Sequence, residues 1–155
     1  MAITAGQLRA LARRDPRLGS ILKGRKPFAP RARPDPYLDL LQSIISQQLS
    51  VKAADTIYGR FLDLFPRRRP TPARLAAMSD AVLRGAGVSR QKAGYLRNVA
   101  VAALAGGLRP ARLRRCSDEE VIVRLTAIKG VGRWTAEMLL MFTLDRPDVF
   151  PVGDV

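Results

Sequence analysis

LTAIKGVGRWTAEMLLMF, residues 125–142, decides how this chain folds, and FPVGDV follows it at 150–155. Gly130 and Gly132 flank Val131, between an apolar segment holding Leu125 and Ile128 and a second one holding Ala136, Leu139 and Leu140. Glycine admits backbone conformations and close approaches that a Cβ would obstruct, so the pattern predicts a tight junction between two helices with exposed amides. Amides at the start of the second helix suit a phosphate. An ordinary helix turn is the competing reading of G-x-G by itself.

Upstream of the hairpin, Ser117 and Glu120 have capping-box spacing, with Asp118 and Glu119 in the favourable first turn of a helix carrying Val121, Ile122 and Leu125. Leu108 to Arg115 reads as a basic connection, and Gly106-Gly107 ends the helix before it. That helix is predicted from Arg90 to about Leu104, capped by Ser89, with Ala93, Leu96, Val99, Ala100 and Ala103 inward. Arg90, Gln91 and Lys92 at its start read as the wet face. Short helices are expected over Ala73–Ala77 and Asp80–Arg84, and Arg67, Arg68 and Arg69 form a basic loop, with phosphate contact as the functional alternative.

Further back, Ser50 caps a helix from Val51 to about Leu64. Asp35-Pro36 starts another, running to about Gln47, whose Tyr37, Leu40, Leu41, Ile44 and Ile45 recur at helical spacing. Thr4 and Gln7 have capping-box spacing for a helix over Ala5–Arg14, with Asp15-Pro16 as its stop. From Arg17 to Pro34 an extended basic segment is expected to wrap the domain, anchored by Ile21, Leu22 and Phe28. The chain thus divides into residues 1–34, a helix and wrapping segment, and 35–155, a helical domain. The predicted class is all-α.

Composition narrows the partners. The 155 residues are 47% hydrophobic, enough for a modest core. Lys and Arg total 27 against 13 Asp and Glu, a formal charge of +14. Such an excess points to a polyanion, nucleic acid first and an acidic membrane surface or acidic protein after it. Cys116 is the lone cysteine and histidine is absent, which excludes an internal disulfide and an all-cysteine metal cluster drawn from this chain. No stretch resembles a signal peptide or a membrane span, so a cytoplasmic monomer without a membrane partner is expected.

LTAIKGVGRWTAEMLLMF and the DVFPVGD that follows resemble the helix-hairpin-helix (HhH-GPD) DNA glycosylases. DPYLDLLQSIISQQLSVKAADTIYGRF and GAGVSRQKAGYLRNVA are similar to earlier helices of the alkylated-base branch, typified by 3-methyladenine glycosylase II. The resemblance spans Asp35 to Val155. It implies the helix-hairpin-helix glycosylase fold, truncated on its C-terminal side because the family's later helices help to complete the pocket. It also implies hydrolytic release of alkylated bases from damaged double-stranded DNA.

Carried over residue by residue, the resemblance makes Asp154 the catalytic carboxylate, beside a sugar that develops oxocarbenium-like charge. On its own, Asp154 reads equally as a helix cap. Trp134 falls in the base pocket, where a cationic alkylated base would stack on its ring, and Met138 lies one turn on, as pocket wall or core filler. Bifunctional relatives have their Schiff-base Lys at the Trp134 position, so water alone is expected to cleave the bond. Gln48 falls at the wedge position, flanked by Gln47 and Leu49. Gly130, Val131, Gly132 and Arg133 would hold phosphate, and the carbonyls of Thr126, Ile128 and Gly130 would hold a structural Na or K ion. No other cofactor and no iron–sulfur cluster is expected. A helix-hairpin-helix DNA-binding module without catalysis is the alternative. Glu137, away from the family pattern, reads as a surface salt-bridge partner.

Overall fold

The structure, a computed structural model, describes residues 4–25 and 35–153. Its helices begin where polar side chains take up the first free amides, which a helix cannot satisfy internally. Thr4 and Gln7 form a reciprocal capping box ahead of α1, Ala5–Arg14. Asp35 accepts from the Leu38 amide and, with Pro36, opens α3, Pro36–Ser46. Ser50 caps α4, Val51–Asp63, and Ser79 caps α6, Asp80–Gly85. Ser89 caps α7, Arg90–Leu104, and Ser117 with Glu120 boxes the start of α9, Asp118–Thr126. Two short helices start on proline instead, α5 at Pro72–Ala77 and α8 at Pro110–Leu113. The last described helix, α10, spans Arg133–Phe142. Among the described residues every regular element is helical, in line with the predicted all-α class.

Two expectations are corrected here. Residues Pro16–Leu22 form α2, not an extended wrap, because the Asp15 side chain accepts from the amides of Arg17 and Leu18 and Pro16 fits the first helical position. Asp15-Pro16 thus starts a helix as Asp35-Pro36 does, and only its role as a stop is visible from upstream. Ile21 is 63% exposed and anchors nothing. Instead α2 packs on α1, where Gly19 lets the helices close: a Cβ there would lie 2.9 Å from the Ala12 carbonyl oxygen. Phe28 and the rest of the proposed wrap beyond Arg25 lie outside the described residues. The second correction is α8, which interrupts the supposed connection and buries Leu113 completely.

The core is built around α7, which packs against α3, α5 and α6. Its Leu96, Val99 and Ala100 meet Leu40, Leu41, Ile44 and Ile45 of α3 in one cluster that continues through Val121 and Leu125 of α9 to Leu139 and Leu140 of α10. Each such leucine or isoleucine contributes about 1.5–3 kcal/mol when fully buried, so the helix pairs are fixed by their apolar stripes. A polar clasp joins the two ends of this cluster: the Thr143 hydroxyl, just after α10, donates to Asp39 Oδ2 in the first turn of α3 at 2.7 Å. The basic run at Arg67–Arg69 is exposed and begins with a single 3-10 turn, Pro66–Arg68, in which Arg68 pairs with Asp63.

Candidate functional site

The ends of α3, α7 and α10 meet around one open cleft of about 890 Å³. Trp134 enters it from the first turn of α10, 42% exposed, and Met138 and Phe142 follow at successive i+4 positions along the same face. Facing them are Gln47 and Gln48 from the turn after α3, and Gln91, Lys92 and Tyr95 from the first turns of α7. The structure therefore brings the expected pocket residues Trp134 and Met138 to the same space as the expected wedge residues Gln47 and Gln48. Leu49, the third of that group, is 38% exposed beside them in the chain but is not part of the cleft wall.

The wedge turn has an unusual backbone. Gln48 has φ of 58°, in the left-handed region that disfavours a side chain. The residues before it are tied down from two directions. Lys92 Nζ donates to the carbonyls of Ile45 at 2.8 Å and Gln47 at 2.7 Å, and Gln47 Nε2 donates to the Gly130 carbonyl at 3.4 Å. Burial pushes the Lys92 ammonium below the ordinary lysine value. Its position in the first turn of α7 predicts Lys92 on the wet face. It turns inward instead, because two carbonyls at the end of α3 need a donor, and nothing in the local sequence around position 92 reports that.

The hairpin joins α9 to α10 through Ala127–Gly132. Gly130 takes φ of 106°, and a Cβ on it would lie 2.2 Å from Tyr95 Cγ, so this glycine is required by both conformation and space. Gly132 is different: as N-cap of α10 it is extended, with open space where a Cβ would be. Gly132 has no side chain with which to cap, and no side-chain cap hydrogen bond is made at the start of α10. Val131 departs from the expected phosphate grip. Its side chain is 5% exposed in the core, and its amide donates to the Ile128 carbonyl at 2.9 Å. Arg133 is exposed but held between Glu119 at 3.3 Å and Glu137 at 3.0 Å. Glu137 itself is 9% exposed, so its ion pair lies at the edge of the core and not on the surface as expected.

The three carbonyls expected to hold a cation fall at the C-terminal end of α9. Those of Ile128 and Gly130 each accept one protein hydrogen bond and keep a second lone pair, and the Thr126 hydroxyl turns back to the Ile122 carbonyl at 2.8 Å. Among the described residues no cluster of His, Cys, Asp or Glu suits a metal, and no helix is long and apolar enough to cross a membrane. Asp154 lies outside the described residues, which end at Gly153, itself part of the cleft wall. Tyr95, Gln91 and Phe142 are cleft residues that the sequence reading missed. Phe142 had a signal in its spacing from Trp134 and Met138, whereas Tyr95 is identified only by its contact across the fold.

Comparison with known proteins identifies the family and the fold. The chain is 39% identical over 142 residues to DNA-3-methyladenine glycosylase 1 of Schizosaccharomyces pombe, covering 90% of this chain and 62% of that protein. It superposes on the crystal structure of a Bacillus halodurans DNA-3-methyladenine glycosidase with a TM-score of 0.87 at 39% identity, over 100% of this chain and 71% of that one. The S. pombe 3-methyladenine DNA glycosylase (Mag1), solved in complex with abasic DNA, gives a TM-score of 0.81 at 38% identity, over 91% of this chain and 71% of that one. The model of the HhH-GPD superfamily matches residues 41–155, from the second half of α3 through the hairpin to the last residue, and the chain belongs to this superfamily of base excision DNA repair proteins.

Proposed function

We propose that the chain is a monofunctional DNA glycosylase that hydrolyses the N-glycosidic bond of alkylated bases in double-stranded DNA. The observation that carries this reading is the shared cleft, in which the Trp134 and Met138 wall opens opposite the Gln47-Gln48 turn. A displaced base can then stack on one wall while the other fills the gap it leaves, an exchange that must offset a few kcal/mol of unstacking. The indole face favours electron-poor and cationic bases. Such bases already have weakened glycosidic bonds, so a soft aromatic wall without a leaving-group acid is sufficient.

In this mechanism Asp154, which follows the cleft residue Gly153 in the chain, stabilises positive charge developing on the sugar and orients the attacking water. The first-turn amides of α10 and the exposed arginines hold phosphates without reading sequence. The assignment to a glycosylase of the type II kind rests on the likeness of DPYLDLLQSIISQQLSVKAADTIYGRF and GAGVSRQKAGYLRNVA to that branch. Trp134, at the position where strand-cleaving relatives carry lysine, supports hydrolysis by water alone. The S. pombe relative is named DNA-3-methyladenine glycosylase 1. Lys92, the lysine in the cleft wall, is committed to two carbonyls and is no Schiff-base nucleophile. A Na or K ion on the carbonyls of Thr126, Ile128 and Gly130 suits the negative end of α9 and would stiffen the hairpin. No chemical step passes through it.

Single-turnover release of free base from duplex DNA containing 7-methylguanine tests the reading. Release by the full chain, lost in Asp154→Asn while duplex binding persists, and no borohydride-trapped protein–DNA adduct, is the expected result. Tight binding with no release by folded protein would replace the enzyme with a DNA-binding module.

A further inference from the structure

The first turns of α7 hold the two DNA-facing loops at once. Lys92, Tyr95 and Asn98 recur at i, i+3 and i+6 and so share one face of the helix. Lys92 Nζ donates to the carbonyls of Ile45 and Gln47, at 2.8 and 2.7 Å, on the turn that carries Gln48. Tyr95 fills the space against Gly130, and Asn98 Nδ2 donates to the Lys129 carbonyl at 3.1 Å, both on the hairpin. Gln47 Nε2 closes the loop by donating to the Gly130 carbonyl at 3.4 Å. The wedge turn and the hairpin, 83 residues apart in the chain, are therefore set against each other by side chains of a third element.

From this arrangement we infer that Lys92 is a positioning residue, whose ammonium fixes the backbone of the wedge turn at a set distance from the hairpin. The inference rests on the glycosylase reading for its consequence but not for its geometry. Three features make lysine suited to the task. A helix C-terminus presents orphan carbonyls and a negative dipole end, which favour a cation. Two carbonyls only two residues apart, those of Ile45 and Gln47, need two donors from one atom, and an ammonium supplies three. Gln48 holds a left-handed conformation that its own side chain disfavours, so its neighbours must be restrained from outside for the turn to keep that shape. Burial also holds the ammonium in a setting where an unbonded charge would be costly, which keeps both bonds made. Without them the turn is free to relax, and Gln48 no longer meets a duplex gripped at the hairpin.

The test separates positioning from general damage. A duplex carrying a tetrahydrofuran abasic analogue opposite 2-aminopurine reports insertion of the wedge by a change in emission at saturating protein. Lys92→Met should reduce that change at least fivefold while duplex affinity falls less than threefold and the circular dichroism spectrum stays helical. In base release, the same variant should be at least tenfold slower on 7-methylguanine paired with cytosine, yet within threefold on 7-methylguanine opposite an abasic gap, where little stacking must be broken. Lys92→Gln keeps a shorter, neutral donor and should move both readouts in the same direction by less, which serves if the methionine variant unfolds. An unchanged emission response in folded variants, or equal slowing on both substrates, overturns the inference. If the wild-type chain releases no base but its emission response is lost in Lys92→Met, the positioning role stands and the glycosylase reading falls.

Discussion

The ring of Tyr95 occupies the space that a side chain on Gly130 would need, with Cγ 2.2 Å from where a Cβ would stand. Gly130→Ala therefore meets both a ring and a φ of 106°. We expect it to destabilise the fold by about 3 kcal/mol or more, read as a lower midpoint in urea denaturation. Gly132→Ala, with open space around it, should cost about 0.5 kcal/mol yet weaken duplex binding, because the obstruction then lies on the ligand's side. Equal loss of stability in both variants would contradict this division of labour.

Gln48 gives the opposite combination. Its left-handed backbone costs about 1–2 kcal/mol, and a glycine there returns about 0.5–1 kcal/mol of that as unfolded-state entropy. Gln48→Gly should therefore leave the chain as stable as the wild type or more so, by up to about 1.5 kcal/mol, while base release slows at least tenfold. Thermal melts and single-turnover rates on the same preparation check both halves.

Burial of Asp39, beneath its clasp with Thr143, makes stability depend on pH in a definite sense. Burial first, and the charge of Asp35 as well, raise the Asp39 carboxyl above its ordinary 3.8, against the opposing hydrogen bond from Thr143. The folded chain then binds more protons than the unfolded one between 3.8 and the raised value, so this group's contribution falls as pH rises through that window and is level above it. Asp39→Asn should flatten the fall, as seen in melting temperature against pH. Thr143→Val removes the donor and should cost about 1–2 kcal/mol near neutral pH.

Glu120 acts with the other sign. Its bond from the Ser117 amide, first, and then from the Ser117 hydroxyl hold its carboxyl below the ordinary 4.5. The stabilisation is present above that value and is lost as pH falls through the lowered one. Melting curves of Glu120→Gln should lack this acid-side decline, and a decline equal to wild type would refute the capping assignment.

Arg133 is shared between Glu119 and Glu137, so part of its charge is withheld from DNA. Freeing it by Glu119→Gln should tighten duplex binding two- to threefold at low salt, with the gain fading as salt is raised, because exposed charges are screened. A salt titration of affinity for both proteins decides it.

Much of this was legible because it is local. The capping boxes at Thr4/Gln7 and Ser117/Glu120, and the serine caps at 50, 79 and 89, are short-range chemistry written within four residues. Trp134 and Met138 could be paired from their spacing on one helix. The wrong expectations have a common cause. Asp15-Pro16 ends one helix and begins another, and local sequence does not say how far the second runs. Lys92 turns inward because of Ile45 and Gln47, 47 and 45 residues away, and Val131 loses its expected role because its amide closes a turn onto Ile128. Each depends on a partner that only the assembled fold supplies.

The clasp between Thr143 and Asp39 joins residues 104 positions apart, and this has a consequence during synthesis and refolding. Closing so long a span comes late, since distant contacts must wait for the order that brings them together. The end of α10 at Thr143 is thus among the last parts to find its seat on α3. A half-folded chain can already expose a cationic surface to DNA, yet it would lack the alignment needed to cut a base free. Under the proposed glycosylase function, attachment would come before reactivity.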